Sequence, residues 1–249
     1  MGNLTLVSSL TARGVSAGRP AVCLLSGGMD SAVCLAEAQI KGFEAHALSF
    51  SYGQRHEVEL AAAENVAMSG GAASHRVVEL DLRALGGSAL TDDLQVPRSR
   101  SMEEIGEGVP ATYVPARNTV FLSVALGWAE TLGARDLFIG VNALDYSGYP
   151  DCRPEFLRAF EALARVATAA GTEDGAEFRV HAPLLELSKA DIVRRAVELD
   201  VDLGLTHTCY APRVTGGEVH SCGVCDACLL RLKGFAEAGL TDPILYVNS

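Results

Sequence analysis

The 249-residue chain has no apolar stretch near the ~18 residues that a membrane-spanning helix requires. Runs such as Phe121–Trp128 are too short and too mixed. Aromatic residues are scarce, at 6%, which leaves little for the bases of a polynucleotide to stack on. Positive charge is also scarce: 20 Lys and Arg face 31 Asp and Glu, the net charge is −11, and the basic residues are scattered. An acidic chain without a basic cluster repels phosphate backbones, so a stable nucleic-acid partner is disfavoured. Residues 1–20 lack a basic segment ahead of a long apolar one, so they are read as an N-terminal extension rather than a signal peptide. The cytoplasm is the expected compartment. Internal repeats and low-complexity tracts are missing. The seven cysteines are odd in number and four of them cluster, which excludes a secreted disulfide framework.

What is present is an alternation of short apolar runs with helical patterns. Residues 21–25 form a continuous apolar run, as in a strand buried on both faces. A turn and a helix from Ser31 to Lys41 follow, stopped by Gly42. Strands are expected over 45–50, 76–82, 136–141 and 179–183, and helices over 56–68, 119–132, 154–170 and 188–199. The last helix opens on Ser188-Lys189-Ala190-Asp191, a capping box with Asp in the Glu position. Residues 83–112 are polar and rich in Gly and Ser, the composition of a mobile functional loop. The alternation predicts an α/β, Rossmann-like fold: a parallel sheet with helices on both faces, binding its ligand beyond the carboxyl ends of the strands. The expected division is residues 1–20 as the extension, 21–203 as the nucleotide-binding domain and 204–249 as a metal-binding C-terminal segment packed on it.

The loop Ser26-Gly27-Gly28-Met29-Asp30-Ser31 lies between the first strand and the first helix. Its glycines allow close backbone approach and positive φ. The helix behind it offers unpaired N–H groups and a partial positive charge, and Ser26 and Ser31 add hydroxyls. Together these make a site for a phosphate or pyrophosphate. Asp30, an acid beside an anion, makes sense as a helix cap or as a magnesium ligand bridging to phosphate. The loop is not a Walker A motif.

The run Cys222-Gly223-Val224-Cys225-Asp226-Ala227-Cys228 is Cys-x₂-Cys-x₂-Cys, with Cys209 upstream. Four thiolates can close a tetrahedral, structural zinc site. The spacing also fits part of an iron–sulfur motif, and His207 and His220 are near enough to replace one ligand. The gap between Cys209 and Cys222 is filled by residues 210–221, and a hairpin bulging at Gly216-Gly217 would absorb it.

Residues 140–154 are dense in polar and aromatic groups for a simple connection. Asp145 or Asp151 can accept from guanine-like N–H groups, Tyr146 or Tyr149 can stack on a flat ring, and Arg153 can meet a carboxylate or phosphate. Cys152 is read as a bystander thiol rather than a nucleophile. Arg117 and Asn118 fit equally a contact to nucleotide or substrate and an ordinary helix start, and Lys189 is assigned to phosphate in preference to a solvated first-turn position.

The phosphate loop is similar to the Ser-Gly-Gly-x-Asp-Ser loop of the ATP pyrophosphatase superfamily. By that resemblance the ATP-binding segment is Leu25, Ser26, Gly27, Gly28, Met29, Asp30, Ser31, Ala32, Val33, Cys34 and Leu35, with direct contacts mainly from Ser26 to Ser31 and the apolar positions packing. The order of this segment, residues 51–56, residues 114–118, residues 140–154 and the cysteine cluster resembles the 7-cyano-7-deazaguanine synthase family of queuosine precursor biosynthesis, over roughly residues 21–235. The resemblance implies an adenine nucleotide alpha hydrolase-like fold and a ligase. In that chemistry 7-carboxy-7-deazaguanine, ammonia and Mg-ATP give the nitrile through an adenylated carboxylate and an amide. It also implies zinc on Cys209, Cys222, Cys225 and Cys228 and a homodimer; Asp30 and Lys189 are the candidates for catalytic roles in that reaction. The extension before Arg19 and the Cys209–Cys222 gap depart from the family's pattern. A tRNA-modifying thiolase or lysidine-type ligase with the same loop is the competing enzyme. A zinc-stabilised nucleotide-binding module without turnover is the competing reading of another class.

Overall fold

The computed structural model describes residues 18–53, 58–91, 95–105, 108–143 and 148–247. Along the chain run β1 (Arg19–Leu24), α1 (Met29–Ile40), β2 (Phe43–Ser51), α2 (Val58–Ser69) and β3 (Ser74–Glu79). The short α3 (Met102–Ile105), α4 (Arg117–Leu132), β4 (Asp136–Phe138), α5 (Pro154–Ala167), α6 (Ala169–Glu173), β5 (Arg179–His181) and α7 (Lys189–Glu198) follow. A hairpin of β6 (Arg213–Thr215) and β7 (Glu218–His220) precedes α8 (Asp226–Ala238). None of the described helices is long and apolar enough to cross a membrane.

The five strands β3-β2-β1-β4-β5 form one sheet, and every pairing in it is parallel. β1 carries the alternation expected of a two-sided strand. Val22 and Leu24 pack with Leu122, Trp128 and Phe160 on one face, while Ala21 and Cys23 pack with Val33, Ile192 and Phe235 on the other. Each fully buried branched side chain of this kind stabilises the fold by about 1.5–3 kcal/mol. The chain moves outward from β1 through β2 to β3, then returns through α4 to add β4 and β5 on the opposite side. The reversal lies between the carboxyl ends of β1 and β4, where such sheets open a crevice.

Several boundaries follow local chemistry. Gly42, at φ 82°, ends α1 by donating its N–H to the Gln39 carbonyl. The expected helix over 154–170 breaks at Thr168, whose hydroxyl caps α6 by accepting from the Gly171 N–H at 3.0 Å. The capping box at the start of α7 is present in full. Gly216 and Gly217, at φ 62° and 87°, form the turn between β6 and β7 that the Cys209–Cys222 gap requires. β4 is shorter than expected and stops at Phe138.

Residues 83–112 differ most from expectation. Far from being a free loop, their described part contains a 3₁₀ turn at Leu82–Leu85 and the buried anchors Ala89 and Leu90, and Val96 packs against Cys225 in a small core of its own. Arg98 bridges Cys225, and the Ser99 N–H donates to the Val224 carbonyl at 2.8 Å.

Candidate functional site

The loop after β1 is shaped by its own hydroxyls. The Ser31 hydroxyl donates to the Gly28 carbonyl at 2.9 Å and accepts from the Ser26 N–H at 3.1 Å. The Gly28 N–H donates to the Ser26 hydroxyl at 3.3 Å. Gly27 takes φ 81°, and a Cβ there would fall 2.4 Å from the Glu59 carbonyl oxygen. Its own carbonyl accepts from the His207 N–H at 2.8 Å. Gly28 is the N-cap of α1 and no side chain caps that end. The first-turn N–H groups are therefore available to an anion.

Asp30 is not the helix cap, one of its two sequence readings, because its carboxylate turns across the sheet. Lys189 Nζ donates to its Oδ2 at 2.5 Å and Asn142 Nδ2 to the same oxygen at 3.3 Å. Its Oδ1 is buried without a hydrogen-bond partner. A buried anionic oxygen left open beside a phosphate-shaped loop is the donor that a hard divalent cation takes. Lys189 is thereby placed in the site rather than in solvent, with its side chain 17% exposed. Gly140, just beyond β4, lets this happen: a Cβ there would lie 3.0 Å from the Asp30 and Ser31 backbone.

These groups line one side of a cavity of about 300 Å³ at the carboxyl end of the sheet. Tyr52, Glu59, Arg117, Phe121, Tyr149 and Tyr210 contribute to the remaining wall. Phe50 and Phe121 stack at 3.9 Å and 5°. Burial works against the Arg117 charge, but Tyr52, Tyr149 and Tyr210 around it hold its pKa above the usual range. Burial pushes the Glu59 carboxyl up to about 7, against the pull of Arg117.

Of the residues expected from sequence, Leu25, Ser26, Gly28, Met29, Asp30, Ser31, Arg117, Asn118, Tyr149 and Lys189 line this cavity. Gly27 shapes the loop from behind. Ala32, Val33, Cys34 and Leu35 are core residues. Asn118 and Asp151 are occupied with each other: the Asn118 N–H donates to Asp151 Oδ2 at 3.0 Å, and Asn118 Nδ2 to the Asp151 carbonyl at 3.1 Å. Asp151 thus holds the start of α4. Asn118 Nδ2 also donates to Cys152 Sγ at 3.2 Å, and that thiol is buried. Arg153 is exposed at the start of α5, away from the cavity lining. Asp145 and Tyr146 lie outside the described residues. Glu59, Arg100, His207, Tyr210 and Asp226 also line the cavity and were not singled out for it from sequence. Glu59 follows the 51–56 segment in a helix's first turn, where an acid is ordinary.

Cys209, Cys222, Cys225 and Cys228 bring their sulfurs within 4.8 Å of one another, and Cys222 and Cys228 are 4.0 Å apart. A tetrahedron of thiolates around zinc has edges of roughly 3.8 Å, so the cluster fits a metal ion. Backbone N–H groups of Ala211 and Cys222 donate to Cys209 Sγ at 3.3 and 3.1 Å, which disperses the charge of a thiolate ligand. The alternative ligands are engaged elsewhere: His207 Nε2 lies 3.0 Å from the Cys209 carbonyl oxygen, and His220 sits beside Glu218.

A parallel sheet with an anion-accepting loop at its switch point, an open carboxylate oxygen and an adjoining cavity defines an α/β protein with an enzyme-like site at the carboxyl ends of its strands. The comparisons narrow the class. The family model for queuosine biosynthesis protein QueC matches residues 20–239, and the chain belongs to that family. It is 61% identical over 230 residues to the 7-cyano-7-deazaguanine synthase of Geobacter sulfurreducens, covering 92% of this chain and 94% of the relative. It is 58% identical over 229 residues to the protein of the same name from Myxococcus xanthus, covering 92% and 98%. Among solved structures, the NMN synthetase from Francisella tularensis aligns with a TM-score of 0.45 at 17% identity, over 78% of this chain and 66% of that one. The chain is an enzyme of queuosine biosynthesis.

Proposed function

We propose that this enzyme converts 7-carboxy-7-deazaguanine and ammonia to 7-cyano-7-deazaguanine, using two ATP molecules. The carboxylate is a poor electrophile until its oxygen carries AMP. Ammonia then displaces AMP to give the amide, and adenylation of the amide oxygen makes dehydration to the nitrile feasible. The observation that carries this reading is Asp30, which presents an open carboxylate oxygen at the mouth of the Ser26–Ser31 loop.

In this reading the α1 N-terminus and the Ser26 and Ser31 hydroxyls bind the phosphates, and Lys189 offsets charge that develops as pyrophosphate departs. Asp30 is the residue that would hold magnesium, which supplies further charge neutralisation when bound. Arg117 is poised for the substrate carboxylate, and Tyr149 offers a ring for the heterocycle. Asp145, Tyr146 and Asn118 remain assigned to the same substrate, and Asp151 holds Asn118 in place at the start of α4. Zinc on the four cysteines is structural and fastens residues 204–249 to the body formed by 21–203. A cytoplasmic homodimer without stable nucleic-acid partners completes the reading.

The test is the purified enzyme with the carboxy-deazaguanine, ammonium and Mg-ATP, followed by mass spectrometry. The nitrile is the expected product. ATP consumption without nitrile would contradict the proposal.

A further inference from the structure

Among the described residues, several buried or partly buried acids meet a cation directly. Glu37 pairs with Arg195 at 2.6 Å, Asp242 with Arg231 at 2.7 Å, and Asp30 with Lys189. Glu59 departs from this pattern. It lines the cavity, and the influences on its carboxyl are burial and the charge of Arg117, with no hydrogen bond among them. Its place is set by main chain. The first turn of α2 abuts the phosphate loop so closely that a Cβ on Gly27 would lie 2.4 Å from the Glu59 carbonyl and 2.7 Å from the Ala63 nitrogen.

Among the described residues, the charged or titratable groups felt by Glu59 are Arg117 on α4 and Tyr52 after β2. Lys189 and Asp30 share the same cavity and pair with each other through Asp30 Oδ2. Its carboxyl, raised to about 7 by burial, can both take and release a proton near neutrality.

Every N–H proton of ammonia must leave in the reaction proposed above. In the first half, the nitrogen lone pair bonds to the carbonyl carbon, the carbon–oxygen bond to AMP breaks with its electron pair, and one proton is released. In the second half, the amide oxygen bonds to the α-phosphorus of ATP and pyrophosphate leaves. Two N–H protons then depart while the nitrogen electrons form the remaining carbon–nitrogen π bonds and AMP departs. The two adenylations release no proton. We propose that Glu59 is the proton acceptor of the amide-forming and dehydrating steps, passing each proton on to water. This assignment rests on the reaction proposed above.

The experiment compares wild type with Glu59→Gln and Glu59→Asp in two assays. One is carboxylate-dependent exchange of labelled pyrophosphate into ATP without ammonia. The other is conversion of the amide intermediate to nitrile with Mg-ATP, which avoids the titration of ammonia itself. Glu59→Gln is expected to keep pyrophosphate exchange and to lose about 100-fold or more in kcat for dehydration. It should also lose the acid limb near neutral pH that wild type shows, and Glu59→Asp should restore part of the rate. Dehydration by Glu59→Gln at the wild-type rate overturns the proposal, as does a change confined to KM or an equal loss in both assays. Failure of wild type itself to form nitrile would sink the reaction, and this proposal with it.

Discussion

Arg100 forks onto Asp226: its Nε donates to Oδ1 at 3.2 Å while its Nη2 donates to Oδ2. The two residues are 126 positions apart, and both line the cavity. Asp226 directly follows Cys225, so the cysteine cluster and the cavity wall meet at this pair. With the Arg98–Cys225 bridge, it seats residues 98–105 over the site. Asp226→Asn keeps the shape but weakens the fork. It is expected to raise hydrogen exchange across 98–105 and to increase KM several-fold with little change in kcat, with metal content unaltered. Unchanged exchange there would remove the pair from that role.

Metal removal should act more broadly. Closed thiolate sites contribute folding free energy directly, on the order of 10 kcal/mol in small metal domains. Even ~5 kcal/mol lost here would lower Tm by about 10–20 °C. Chelation under reducing conditions is expected to lower Tm and to expose residues 209–228 to protease first. A Tm indifferent to chelation would count against a bound metal.

Gly140→Ala tests the contact between β4 and the phosphate loop. The new Cβ would press at 3.0 Å on the Asp30 carbonyl and the Ser31 nitrogen, both of them backbone. A cost of about 1–3 kcal/mol in stability is expected. Weaker ATP binding, measured by calorimetry, should accompany it because the loop itself must move.

Glu59 gives the stability curve a sign. Its carboxyl is raised from 4.5 to about 7 by burial, with Arg117 opposing. The folded state therefore holds the proton more tightly than the unfolded chain. Stability is unpenalised below the unfolded value, falls as pH rises between the two values, and carries the full cost above about 7. That cost is up to ~3 kcal/mol. Glu59→Gln should exceed wild type in denaturant midpoint at about pH 8 and match it near pH 4. Equal midpoints at both would place the carboxyl in solvent.

Much of the fold was legible because it is local. The apolar run at 21–25, the Gly-Gly loop, the Ser188–Asp191 capping box and the Gly216-Gly217 turn all announce themselves within a few residues. What sequence hid is tertiary. Nothing near Arg98 or Arg100 points to partners at Cys225 and Asp226, so residues 83–112 looked unanchored. Asn118 and Asp151 looked available to a ligand because the bond between them spans 33 positions. Glu59 resembled any first-turn acid until its place in the cavity beside Arg117 became visible. The family's motifs supplied the reaction, whereas packing decides which of their residues face the cavity.

Two adenylations per nitrile are the core of the proposed reaction. Quenched time courses with labelled ATP and ¹⁵N-ammonium measure them directly, through the ratio of AMP to nitrile and the isotope in the product. Two AMP and two pyrophosphate are expected for each nitrile, with the label retained in the nitrile nitrogen. ADP and phosphate as products, or one AMP per nitrile, would contradict that reaction.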